Sequence, residues 1–102
     1  VVGWTHWSHI DRTAEASFYV GPDEARGHGY ARRALRLLHD WGWGVGLARA
    51  YAEVYSFNEP SIRLLTGLGY REEGRLRSHV YRDGERHDSL ILGLLREEWK
   101  AP

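Results

Sequence analysis

Residues 23–35 read DEARGHGYARRAL. Two glycines flank a histidine, an arginine precedes them, and a helix-like run follows at once. Glycine at such a junction has two explanations. One is a turn that needs it. The other is a nest for an anion. The first amides of a helix have no partner within it and point outward at the positive end of the helix dipole. Bare backbone at Gly27 and Gly29 allows close approach, and Arg26 adds a charge-assisted bond to phosphate. Two familiar phosphate motifs do not match. Position 32 is Arg, so the Gly-x-Gly-x-x-Gly dinucleotide fingerprint is incomplete, and no Gly-Lys-Ser/Thr follows as in a P-loop.

The segments on either side give the fold class. Upstream, residues 1–9 (VVGWTHWSH) are aromatic and β-branched, as in a strand. Residues 13–20 (TAEASFYV) alternate, with Ala14, Ala16, Phe18 and Val20 on one side and Glu15, Ser17 and Tyr19 on the other. That is a half-buried strand, paired with the first as a hairpin. Downstream the period changes. From Tyr30 to Trp43, Ala31, Ala34, Leu35, Leu38 and Trp41 share one helical face, and the glycines of GWGVGL end the helix. Trp41 and Trp43, at that end, divide between core and rim.

Residues 48–56 alternate again, with Ala48, Ala50, Ala52 and Val54 opposite Arg49, Tyr51, Glu53 and Tyr55. Asn58 and Pro60 open a short helix that Gly69 stops. Two strands then flank Asp83-Gly84, a hairpin-turn dipeptide. The order β-β-α-β-α-β-β predicts an α+β, α/β-like fold in one domain over residues 1–102. It is a mixed central sheet with two helices, and the crossovers require some parallel pairing.

Composition narrows the function. Fourteen basic residues balance fourteen acidic ones, so no global field draws in nucleic acid or an anionic membrane. No run of about 18 apolar residues suggests a membrane span. Cysteine is absent, which excludes disulfides and thiolate metal sites. His6 and His9 have opposite parity on a strand and make no metal pair. A cytoplasmic protein without metal is the expectation.

With these elements in place, RGHGYA (26–31) resembles the Arg/Gln-x-x-Gly-x-Gly/Ala loop of the GCN5-related N-acetyltransferases, with Arg26, Gly29 and Ala31 in the signature places. NEPSIRLLTGLGYREEGRLR (58–77) is similar to the Asn-x-x-Ser helix and following strand of the ribosomal-protein alanine acetyltransferase-like branch. YRDGERHDSLILGLLREEW (81–99) resembles its closing hairpin. The resemblance covers roughly residues 1–99.

It implies that acetyl-coenzyme A is the co-substrate, its pyrophosphate held by Arg26, Gly27, His28, Gly29, Tyr30 and Ala31, mostly through backbone. It implies that Phe18, Tyr19 and Val20 pair with the pantetheine arm, and that strand 48–56 splays away to open the slot. An amide at one of those three positions would stabilise the developing oxyanion. Asn58 and Ser61 match cofactor-contacting positions, and Ser61 can relay a proton near the thiol. Glu15 is the candidate general base, with a solvated strand residue as its alternative. Many relatives place a Tyr four residues beyond the serine; here that residue is Leu65. His79 and Tyr81 are spare candidates with core or surface roles as alternatives. Arg32, Arg33 and Arg36 either touch the 3′-phosphate end or form a solvated face.

Relatives of this family carry a further strand and one or two helices ahead of the segment that begins here. The sequence is read either as a fragment or as a naturally short form; without those elements the first strand would have an exposed edge, and the expectation is a homo-oligomer. The implied activity is acetyl transfer to a primary amine of a protein N-terminus, a peptide or a small molecule. The alternatives are a coenzyme A-binding module without catalysis and a structural domain.

Overall fold

Residues 2–18 and 29–100 are described by a computed structural model of the chain. The strands β1 (Val2–Ser8) and β2 (Thr13–Phe18) form an antiparallel hairpin. After α1 (Tyr30–Gly44) comes β3 (Arg49–Tyr55), which lies parallel to β2. After α2 (Glu59–Gly67) come β4 (Arg71–Arg82) and β5 (Glu85–Leu95), joined at Asp83 and Gly84, both with positive φ. The five strands make one sheet in the order β1-β2-β3-β5-β4. A short 3₁₀ turn, Arg96–Glu98, follows β5. The expected mixed sheet with two helices is what the chain forms.

Alternation decides which face of each strand is buried. Ala14 of β2, Ala50, Ala52 and Val54 of β3, and Leu90, Leu92 and Leu94 of β5 pack in one cluster with Leu35 of α1 and Leu65 of α2, and Ala16 of β2 is buried as well. The small alanines let the helices approach the sheet. On the other face Arg49 of β3 reaches over β5 to Glu73 of β4, with Nη1–Oε2 at 2.9 Å and Nη2–Oε1 at 2.5 Å. The Glu73 carboxylate lies over Gly93, where a Cβ would collide with it. The paired guanidinium holds the Glu73 carboxyl below its ordinary range.

Helix α1 departs from the expected face. Its buried residues are Ala31, Leu35, His39, Gly42 and Trp43, while Trp41 is 57% exposed. The stripe is rotated because a histidine, not an apolar residue, sits at its centre. His39 is fully buried and its ring is satisfied on both sides. A carbonyl can only accept, so Nδ1–H donates to the Leu35 oxygen at 2.7 Å, and the Tyr70 hydroxyl donates to Nε2 at 2.5 Å. Trp99 stacks on the ring at 5.1 Å, and its Nε1–H donates to Asp40 Oδ1 at 2.9 Å. Trp4 of β1 and Trp43 contact the same ring. One imidazole therefore ties β1, α1, the segment after α2 and the C-terminal tryptophan together. Burial pushes the His39 pKa down, opposed by the Leu35 carbonyl, and pushes the Tyr70 pKa up.

Helix α2 starts as its sequence requires. Asn58 caps it, its side-chain oxygen accepting from the Ser61 amide at 3.3 Å, and Pro60 occupies the first turn. Replacing Asn58 by Ala is expected to cost about 1 kcal/mol, a fall of roughly 4–8 °C in Tm for a domain of this size; Asn58→Asp should recover most of it in the same thermal melts. His39 provides a pH test. The native ring resists protonation while the unfolded one takes a proton near 6.5. The unfolded state therefore binds more protons in the window below that value, and stability falls as pH drops through it. Denaturant titrations at several pH values should show His39→Phe to be less stable near neutrality by about 1–3 kcal/mol, because Tyr70 loses its acceptor. The variant should also show a shallower loss on acidification.

Candidate active site

The parallel ladder between β2 and β3 is short. Thr13, Ala14 and Glu15 pair with Arg49, Ala50 and Tyr51, and pairing stops there. Both strands continue: β2 stays bonded to β1 as far as Phe18, and β3 to β5 as far as Tyr55. Each is thus held on its outer side while their facing edges diverge. The gap is a groove of about 400 Å³ whose walls include Glu15, Ala16 and Phe18 from β2 and Glu53, Val54 and Tyr55 from β3. Asn58 and Ser61 at the start of α2 line it, as does Thr5 of β1. Because the split passes through the sheet, residues of both faces reach it.

Four of the site residues expected from the sequence therefore meet in one place: Glu15, Phe18, Asn58 and Ser61. Ser61 is 4% exposed, with its amide held by the Asn58 cap. Glu15 lies on the polar side of its strand, and its side chain is 24% exposed. Gly29 is the N-cap of α1, in the left-handed conformation at φ 76°. It has no side chain with which to cap the first turn, and that turn contains no acidic residue. Ala31 is buried and Tyr30 is exposed, with Arg33 over the Tyr30 ring. Tyr19, Val20, Arg26, Gly27 and His28 lie outside the described residues.

The alternatives weighed in the sequence divide. Leu65 is fully buried in the core, so the position at which many relatives carry Tyr faces away from solvent here. His79 of β4 sits 3.6 Å from Glu53 and so reaches the rim of the groove. Tyr81 is exposed beneath Arg86. Arg32 and Arg33 are exposed on α1, and Arg36 stacks over Trp99.

Two participants were not singled out from the sequence. Glu53 showed only as one of four alternating polar residues of β3. His6 lies with its Nδ1 2.9 Å from Glu15 Oε1. Strand parity would have sent it to the opposite face, so no sequence signal pointed to it. Among the described residues no group of three or more metal-ligating side chains occurs.

The sequence and fold of the chain resemble those of known proteins. The family model for the acetyltransferase (GNAT) domain matches residues 1–71. The chain is 37% identical over 103 residues to the SPbeta prophage-derived uncharacterized N-acetyltransferase YokL of Bacillus subtilis (strain 168), covering 98% of this chain and 58% of that protein. It is 30% identical over 95 residues to the spermidine N(1)-acetyltransferase of Escherichia coli (strain K12), covering 92% and 50%. It superposes on the ribosomal-protein-S5-alanine acetyltransferase of Vibrio fischeri with a TM-score of 0.80 at 24% identity, over 98% of this chain and 55% of that one, a likeness of fold. The chain spans about half the length of the curated relatives it matches. With most of its length matched by the family model, and with the diverging strands that give the fold its groove, the chain belongs to the GNAT acetyltransferase family.

Proposed function

We propose that this chain binds acetyl-coenzyme A and transfers its acetyl group to a primary amine of a protein N-terminus, a peptide or a small molecule. The observation that carries the reading is the loss of pairing between β2 and β3 beyond Glu15 and Tyr51. An extended chain bearing amides can add to an open strand edge as a further strand would, and the pantetheine arm is such a chain. Phe18 lines the gap at that edge, and Tyr19 and Val20 continue the strand in sequence. The start of α1, where Gly29 supplies no side-chain cap, suits the pyrophosphate, with Arg26, Gly27, His28, Tyr30 and Ala31 completing the loop by their place in the motif. Bound there, the co-substrate would supply an activated acetyl thioester.

The remaining chemistry belongs to the protein. An acceptor amine arrives as an ammonium and must lose a proton before it can attack. In this reading the Glu15 carboxylate takes that proton, and the Ser61 hydroxyl supports protonation of the departing sulfur. Among the described residues, the groove walls carry two carboxylates, Glu15 and Glu53, and no basic side chain. That imbalance concentrates a cationic acceptor. Spermidine and the alanine of ribosomal protein S5, named for two of the matched proteins, are acceptors of this chemical kind.

Calorimetric titration of the protein with acetyl-coenzyme A tests the binding half. Dissociation constants in the range of about 1 μM to 1 mM are expected, and Gly29→Trp, at a left-handed position, should abolish binding. A folded protein that shows no heat of binding would reject the reading. For the catalytic half, Glu15→Gln should lower kcat by roughly 10²–10⁴-fold with binding of acetyl-coenzyme A retained, measured as thiol release in the presence of an amine.

A further inference from the structure

Strand β1 carries an irregularity that places a side chain against Glu15 of the groove wall. Its pairing with β2 is regular from Val2↔Phe18 to Thr5↔Glu15, then slips before Ser8↔Thr13. His6 sits in the slip with φ 54°, a left-handed conformation that few non-glycine residues adopt, though Asn, Asp and His are enriched among them. A bulge of this kind re-aims side chains and is frequent beside active sites.

Here it reverses parity. Trp4 faces the helices, so His6 would share its face in a regular strand and Trp7 would not. Instead Trp7 packs beside Trp4, at 6.3 Å between ring centroids, and both lie against the core. His6 turns the other way, onto the face of Thr5 and Glu15, and places Nδ1 2.9 Å from Glu15 Oε1. The slip is offset by the packing of Trp7 on the core, while the contact of a largely exposed His6 with Glu15 contributes little to stability itself.

We propose that His6 is a positioning residue for Glu15, an inference that rests on the reading of Glu15 as the base. An ionised carboxylate can only accept, so the ring is held as the Nδ1–H tautomer with Nε2 toward solvent. One carboxylate oxygen is thereby engaged from the strand side. The second is left to meet an ammonium in the groove that Glu15 lines. Glutamate at the last pair of the parallel ladder, with the gap beside it, has several rotamers of similar energy, and the imidazole selects among them. Orientation of this sort acts on turnover and leaves the co-substrate's own contacts untouched.

The test uses the intact protein with His6→Gly, His6→Asn, Glu15→Gln and the His6→Gly/Glu15→Gln double variant. Thermal melts, steady-state kinetics with acetyl-coenzyme A and an amine, and ¹⁵N spectra of the His6 ring are measured. Glycine relieves the left-handed backbone, so His6→Gly should keep or raise Tm. The same variant should lower kcat about tenfold or more with the KM for acetyl-coenzyme A unchanged. A purely structural histidine would not produce that opposed pair of effects. His6→Asn, which tolerates the backbone and restores an N–H donor, should regain much of the loss. On a Glu15→Gln background, His6→Gly should have no further effect on kcat.

The nitrogen shifts should show Nδ1–H in the wild type and a return to Nε2–H in Glu15→Gln. Wild-type turnover by His6→Gly beside a crippled Glu15→Gln would overturn the role of His6 alone. Full activity of Glu15→Gln would overturn the reading of the base beneath it. An Nε2–H ring in the wild type would overturn the pairing without reference to turnover.

Discussion

The groove of this molecule depends on a parallel ladder that ends after three residue pairs. Beyond Glu15 and Tyr51 the two central strands part, and their facing backbone edges have no ladder partner among the described residues. Backbone N–H and C=O groups need partners, and a strand edge left open this way normally invites another chain. The split is stable because it costs neither strand its other neighbour. β1 holds β2 out to Phe18, and β5 holds β3 out to Tyr55. The result is an internal edge: extended, preformed, and enclosed by Asn58 and Ser61 at the start of α2.

What keeps the two halves around that split together is on the helix face of the sheet. The apolar cluster spans β2, β3 and β5, and both helices pack on it. At one end the His39 ring joins α1 to Tyr70 and Trp99 and touches Trp4. Burial disfavours the charged form of a histidine in that position, against the opposing pull of the Leu35 carbonyl and Asp40. Its two hydrogen bonds define its tautomer. The other face of the sheet is polar and is tied across β5 by Arg49 and Glu73. The division of labour follows: apolar packing fixes the scaffold, and the polar face and the gap are free to carry chemistry.

The order of elements was legible because each boundary has a local cause. Period 2 gave way to period 3.6 at Tyr30 and returned at Ala48, Asn58 and Pro60 opened α2, and Asp83-Gly84 turned the last hairpin. The family resemblance was legible in RGHGYA and the Asn58–Ser61 spacing, and it brought Glu15, Phe18, Asn58 and Ser61 to one groove on paper before the sheet did so in space. Trp41 falls on the apolar face of α1 by periodicity, but His39 is buried there instead, and hydropathy gives a histidine no inward preference unless its partners are known. The side to which His6 turns was not legible, because alternation holds only while the ladder is regular.

The sequence by itself determined the elements, their order, the small-residue faces of β2 and β3 and the glycine at the start of α1. All of these are set by interactions among residues within a turn or two of one another. Only the tertiary structure decided where the parallel ladder stops, which histidine is buried and which is turned to Glu15, and that Glu53 shares a wall with Ser61. Most of those outcomes depend on contacts between residues far apart in the chain, such as Tyr70 and Trp99 with His39, or Glu15 with Tyr51 at the last pair of the parallel ladder. Periodicity carries no record of register, because a one-residue slip leaves the composition of a strand unchanged while it exchanges the two faces.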